Sequence, residues 1–213
     1  MMTNFNEQAV SEASPIKLIL VKSLFVFIGL LATGIGTSIM FQVGMGSAPP
    51  GTIIEGVKEF FNVSYGIAGI IVNFSFLVLL FFTERSLIGL GTIAMLFFGY
   101  FVDLGNIIIA PLAIGNLSGA MQILAMVLGC LVVAVGTGLY LGVNFGSGAI
   151  DGLSILFDRK LPLDLKYCRW ITDALLVLVG ALMGASWGLG TVVAVAITGP
   201  ILQSMITKMG KYF

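Results

Sequence analysis

Two carboxylates, Asp103 and Asp173, sit inside long apolar runs of the chain. Burying an unpaired charge in such surroundings is costly, so an ionisable group kept there is a functional candidate by default. Asp173 follows Arg169 by four positions, the spacing at which acid and base meet on one helix face, and an ion pair at the edge of the run accounts for it. Asp103 lies toward the far end of its run, where an interfacial and a pore-lining residue read alike. A third carboxylate, Asp151, stands at a glycine-rich turn. There it could cap a helix, the commoner use, or hold a cation or proton. Other chemistry is thinly supplied. The chain has no histidine, and Cys130 and Cys168 lie far apart with no CxxC spacing, which leaves no ordinary zinc or haem motif and no histidine relay. The aspartates lack the GxGD setting of an intramembrane protease, and no nucleophile and base are paired. Neither an enzyme, a cofactor nor a metal is expected.

The elements that must position these residues are helices in lipid. Of the 213 residues 58% are apolar and 9% charged, and the mean hydropathy is +1.10, too little polar surface for a water-soluble globule of this size. The net charge is zero with the basic residues scattered, so nucleic acid is not an expected partner. Crossing about 30 Å of hydrocarbon at about 1.5 Å per residue takes about 20 residues. Six runs come close: Leu18 to Val43, Tyr65 to Phe82, Ile88 to Ala110, Met121 to Val143, Trp170 to Trp187 and Leu189 to Ile206. Trp170 and Trp187 bracket the fifth, about 26 Å apart on a helix, near the two headgroup levels. Continuous apolar runs exclude a β-barrel. Residues 1–15 read as a disordered polar tail. With both termini cytoplasmic, every Lys and Arg except Lys58 falls inside, and the loop from Ala110 to Gly119 is uncharged, as an outer loop can be.

The chain also repeats itself. Offset by one hundred positions, Gly29, Gly36, Thr37, Val43, Gly46 and Ser47 fall on Gly129, Gly136, Thr137, Val143, Gly146 and Ser147. Asn73 falls on Asp173, so both copies place a buried hydrogen-bonding group there, and after a slip of one Gly89, Gly91 and Thr92 meet Gly188, Gly190 and Thr191. Each copy holds three spans, an odd number, so the second enters the membrane from the opposite side. The expected fold is an all-α polytopic transmembrane bundle of six spans, built as two inverted three-span repeats over residues 16–110 and 119–209. Each repeat also carries a short segment, GMGSAPPGTIIEGVKEFFN and NFGSGAIDGLSILFDRK, too short and too charged to span. Each is either an interfacial helix or a half-helix dipping into the protein. Pro49 and Pro50 suit a helix start, and such a start could receive an anion or carboxylate.

GIGTSIMFQVGMGSAPPGT, GSGAIDGLSILF, GASWGLGT and AITGPILQ, in that order, resemble the YczE/YyaS/YitT family of bacterial membrane proteins over nearly the whole chain after the tail. The halves divide the family's GxGxxPxDG-like turn between them: the first keeps Pro49 but has Gly51, the second has Asp151 but Ala149. The resemblance implies the architecture and a multi-pass place in the bacterial plasma membrane, and supplies no substrate. By analogy with inverted-repeat folds, the expected function is a transporter or channel for a small polar solute or ion. The candidate site is Gly46, Ser47, Pro49, Thr52, Gly146, Ser147 and Asp151, with Asn73, Asp173 and Asp103. The alternative is a non-transporting membrane protein that aids assembly or regulation of a partner complex, marked by an exposed ridge of Gly180, Gly184 and Gly188. The partners implied are the lipid bilayer, a small polar solute or ion, and, as an option left open, further copies in a homo-oligomer.

Overall fold

Apolar residues without periodic interruption give helices that are apolar on nearly every side, and such helices stay soluble only where lipid covers them. In the computed structural model, which describes residues 15–210, the chain is all-helical, with no strand among the described residues. The helices are α1 (Pro15–Val43), α2 (Pro49–Phe61), α3 (Tyr65–Thr83), α4 (Leu90–Leu96), α5 (Phe98–Ile109), α6 (Gly119–Gly142), α7 (Ala149–Lys160), α8 (Leu165–Leu182) and α9 (Leu189–Met209). The polar tail at 1–15 lies outside the described residues except for Pro15. Large apolar side chains cover the exterior, among them Leu20, Phe27, Phe74, Phe82, Leu178 and Leu182, while Thr33, Thr37, Ser38, Thr198, Asp151, Arg169 and Asp173 lie inside. That is the reverse of a soluble protein.

Four helices, α1, α3, α6 and α9, are long and apolar enough to cross a membrane. A fifth crossing is available if α4 and α5 count as one span bent by 55°. The run expected as one helix from Ile88 to Ala110 therefore breaks, and no proline causes it. At the break Phe97 N–H donates to Ala94 O at 3.1 Å and Tyr100 N–H to Phe97 O at 3.0 Å, so the chain tightens into a three-residue turn. The remaining expected span also differs. It begins at Leu165, five residues before Trp170, and includes Lys166, Arg169 and Asp173, too much charge for a plain apolar crossing. It stops at Leu182 because Gly184 takes φ +100° and Ala185 N–H returns to Gly180 O at 2.9 Å, a left-handed glycine stop. Trp187 thus lies beyond the helix, in the loop before α9.

The two long central helices, α1 and α6, cross through their glycines. A Cβ at Gly29 would come within 2.7 Å of Gly136 O and one at Gly136 within 2.7 Å of Gly29 O; Gly36 and Gly129 oppose each other in the same way at 2.8 and 3.1 Å. Backbones this close leave no room for a side chain on either helix. Ser38 Oγ donates to Val102 O at 2.8 Å, tying α1 to α5. Gly138 and Gly142 receive Met205 and Met209 of α9 against α6. Around this crossing Leu30, Met95, Phe98, Val102, Tyr140 and Leu202 form the main core.

The turns after α1 and α6 are held by the opposite half. Gly46 (φ +100°) and Gly146 (φ +103°) occupy backbone that disfavours any side chain. Gly190 N–H donates to Met45 O at 2.8 Å, and Gly91 N–H to Phe145 O at 2.8 Å. Gly180, Gly184 and Gly188 do not form an exposed ridge. Gly180 packs on the Thr52 carbonyl of α2, Gly188 on the Met45 carbonyl, and Gly184 terminates α8.

Candidate functional site

The two short helices begin inside the protein and end at its surface. In α2, Pro49, Gly51, Thr52, Ile53 and Ile54 are buried, whereas Phe60 and Phe61 are exposed. In α7, Ala149, Ile150, Asp151 and Gly152 are buried, and Asp158, Arg159 and Lys160 are exposed. Their starts converge on one central cavity of about 20 Å³, lined in part by Pro49, Pro50 and Gly51 of α2, Asp151 of α7, Tyr140 of α6 and Arg169 of α8. That is room for about one water.

Two charged side chains, Asp151 and Arg169, line this cavity, and Asp173 stands behind Arg169. Arg169 is 2% exposed, Asp151 3% and Asp173 0%, so bulk water reaches almost none of their surface. The Arg169 guanidinium donates through Nη1 to Asp151 Oδ1. Its Nε lies 2.9 Å from Asp173 Oδ1, one helical turn along α8, close enough for an ion pair but not aligned as a hydrogen bond. Arg169 is thus shared by a carboxylate of its own helix and one from the short helix, the planar guanidinium suiting both at once. Asp151 does not cap α7: the N-cap is Gly148, and Asp151 stands in the first turn with its side chain on Arg169. Two further polar groups are left over. The Tyr140 hydroxyl is fully buried and has no hydrogen-bond partner among the described residues, and the same holds for Asp173 Oδ2.

A family model described as a family of unknown function, DUF6198, matches residues 20–207, almost all of the described chain. The chain belongs to the DUF6198 family. Its similarities agree with the YczE/YyaS resemblance. It is 22% identical over 193 residues to the uncharacterized protein YyaS of Bacillus subtilis, covering 90% of this chain and 96% of the relative. To the uncharacterized membrane protein YczE of the same organism it is 26% identical over 186 residues, covering 84% and 82%. An uncharacterized protein of Haemophilus influenzae is 26% identical over 179 residues, covering 84% and 80%. No solved structure matches. Together with the apolar helices, the relation to YczE marks this DUF6198 chain as a membrane protein.

Of the residues singled out in the sequence, Pro49 and Asp151 line the cavity, and Asp173 reaches it through Arg169. Gly46 and Gly146 do not line it; they let the turns pass against Gly188 and Gly89. Ser47 Oγ and Thr52 Oγ1 bond to each other at 3.1 Å, closing the start of α2. Ser147 accepts from Thr92 Oγ1 at 2.5 Å through its carbonyl and donates to Leu87 O at 3.2 Å, closing the start of α7. Asn73 is buried and donates to Gly69 O at 2.9 Å, away from the cavity lining. Asp103 is exposed on α5 and takes no part. Arg169 and Tyr140 were not among the candidates. The fifth apolar run begins at Trp170, so Arg169 falls just outside it, and only its spacing to Asp173 places the two on one helix face.

Proposed function

We propose that the chain carries a small polar solute or ion across the bacterial plasma membrane between two inverted halves, with the Asp151, Arg169 and Asp173 cluster at the centre of the route. The halves are α1–α5 and α6–α9, six crossings in all: α1, α3, the bent α4–α5 pair, α6, α8 and α9. Both termini lie on the cytoplasmic side. The two short helices are re-entrant, entering from opposite faces to meet at the cavity.

The observation that carries this reading is the buried three-charge cluster facing a cavity at which both short helices begin. Ionisable groups inside a membrane protein are costly to keep unless used, and convergent half-helices are how inverted-repeat carriers build a site. Inversion is supported by paired contacts. Element starts recur at 49 and 149, 65 and 165, and 90 and 189, and each half's last span binds the other half's turn. Arg159 Nη1 donates to Ser86 Oγ at 2.6 Å, while Ser186 Oγ donates to Glu55 Oε1 at 2.6 Å, the same link made from each short helix to the other half's loop. Lys166, Arg169 and Asp173 are tolerated in a crossing helix because Arg169 and Asp173 neutralise one another inside and Lys166 sits in the first turn. Gly180 and Gly188 pack against α2 and the first turn instead of lining an exposed ridge, which favours the transport reading over a partner-binding one.

At about 20 Å³ the cavity holds nothing larger than a water, so passage requires the halves to move apart. The experiment is a thermal-shift screen of the purified protein against amino acids, small anions and small cations, followed by uptake of each stabilising compound into proteoliposomes. The expected result is at least one compound that stabilises the parent, fails to stabilise Asp151→Asn, and enters loaded vesicles faster than empty ones. Uptake equal to that of protein-free liposomes for the whole panel would sink the reading.

A further inference from the structure

A helix start is ordinarily an anion site, because its first N–H groups are free and the dipole is positive there. Both starts at this cavity are weakened as anion sites. In α2 the first two positions are Pro49 and Pro50, which have no N–H, so of the first three residues only Gly51 has an N–H to offer. In α7 the third position is Asp151, a carboxylate in the first turn, which opposes a second anion at that start.

The remaining lining is rich in acceptors. Thr33 Oγ1 donates to Gly29 O at 2.8 Å, Thr37 Oγ1 to Thr33 O at 2.8 Å and Thr198 Oγ1 to Ala194 O at 2.6 Å. Their hydroxyl hydrogens are thus turned back into their own helices, and their oxygens have only lone pairs left to offer the cavity. Arg169 brings the only cationic donor, and two carboxylates already face it, leaving one negative charge in excess. Asp151 Oδ2 and the unpartnered Tyr140 hydroxyl both lie 2.8 Å from where a Cβ on Gly148 would be, so the carboxylate oxygen that Arg169 does not take and an unused buried hydroxyl flank one small space.

We infer that this space binds one alkali-metal cation, through Asp151 Oδ2, the Tyr140 hydroxyl and the threonine oxygens of α1 and α9. The inference rests on the transport reading only for its meaning: it names the charge of what the central site takes. One excess negative charge matches a monovalent ion. No group of three or more Cys, Asp or Glu side chains able to hold a metal ion occurs among the described residues, which sets the site apart from carboxylate cages for divalent ions. Several neutral oxygens around one carboxylate suit a bare ion better than a proton, which needs only one.

The test uses the full chain in detergent, melted in lithium, sodium or potassium chloride against choline chloride at constant ionic strength. At least one alkali ion should raise the melting temperature saturably, by about 5 °C at a hundredfold excess over its dissociation constant. Asp151→Asn should abolish the rise. Tyr140→Phe removes a hydroxyl that makes no hydrogen bond, so it should fold, and it should shift the half-saturating concentration about tenfold. Equal melting in choline and all three alkali salts, a response to pH alone, or a parent-like rise in Tyr140→Phe would overturn the inference. Flux separates the two proposals. Cation-dependent melting without solute uptake leaves the cation site standing and removes transport, whereas uptake that is the same in choline and alkali media does the reverse.

Discussion

Arg169→Met is the most revealing single change. The methionine keeps much of the stem volume but removes the charge that faces two carboxylates, and Asp151 and Asp173 then confront each other at 3% and 0% exposure. Removing one partner of a buried ion pair costs about 3–5 kcal/mol, because the charge left behind has neither water nor partner. For a chain of this length each kcal/mol moves the melting temperature by about 2–4 °C, so a fall of about 10 °C is expected. The neutral triple variant Asp151→Asn, Arg169→Met, Asp173→Asn should recover most of that loss and melt within about 3 °C of the parent, since a wholly uncharged cluster has no desolvated charge to support. Both native thiols, Cys130 and Cys168, are free and buried, so a thiol-reactive dye that fluoresces on reaction reports unfolding without added labels. If Arg169→Met melted with the parent, or the triple variant melted below Arg169→Met, the cluster would not be the buried, mutually compensating set described above.

Other consequences can be checked with the same preparation. Gly46→Ala and Gly146→Ala should each lower the melting temperature by about 6 °C or more, because the new methyl would stand 2.5 Å from Thr191 Oγ1 or 2.6 Å from Gly89 Cα in backbone at φ near +100°; a loss under about 1 °C in both would take the turns out of the account. Thr92→Val removes the bond to Ser147 O and should cost about 1–3 kcal/mol, read as a fall of a few degrees, with Thr92→Ser retaining most of the stability. Gly148→Ala keeps an allowed backbone (φ −57°, ψ 149°) but puts a methyl 2.8 Å from Asp151 Oδ2 and from the Tyr140 hydroxyl, so uptake should fall while melting stays within a few degrees. Single cysteines at 85 and 160 should label from the cytoplasmic side and one at 115 from the other; labelling of all three from one side would remove the inverted topology.

The helical class, the lipid setting and the paired turns were legible because they rest on composition and on glycine spacing. Gly29 and Gly36 recur one hundred positions on as Gly129 and Gly136 because Gly29 meets Gly136 and Gly36 meets Gly129 where the backbones cross without room for a side chain. The start of the first short helix was legible from Pro49 and Pro50, whose missing N–H groups are harmless only in a first turn. The break at Phe97 was not, since no proline marks it and the tight turn there is visible only in the backbone hydrogen bonds. Nor was the role of Arg169. A buried arginine is readable only when both acids that neutralise it are known, and Asp151 lies eighteen residues away on another helix. Hydropathy treats all three charges as reasons to end a span, whereas in the fold they cancel. Tyr140 gave no signal beyond an apolar helix, because an unpartnered hydroxyl is visible only in three dimensions. Thr37 and Thr137, identical across the repeat and both at the cavity, were the available clue that the halves share one lining.

Solvent access to that lining bears most directly on a route between the halves. Single cysteines replacing Thr37 and Thr137 in native membranes, with Cys130 and Cys168 changed to alanine, can be exposed to a small membrane-impermeant methanethiosulfonate from either side. A cavity opened by motion of the halves should let both positions react, from one side or the other, more slowly than an exposed cysteine at 85 and with rates that change when the solute or cation is added. Complete protection of both positions from both sides, under conditions in which the cysteine at 85 reacts fully, would mean that the centre of the molecule is a sealed core and that nothing passes through it.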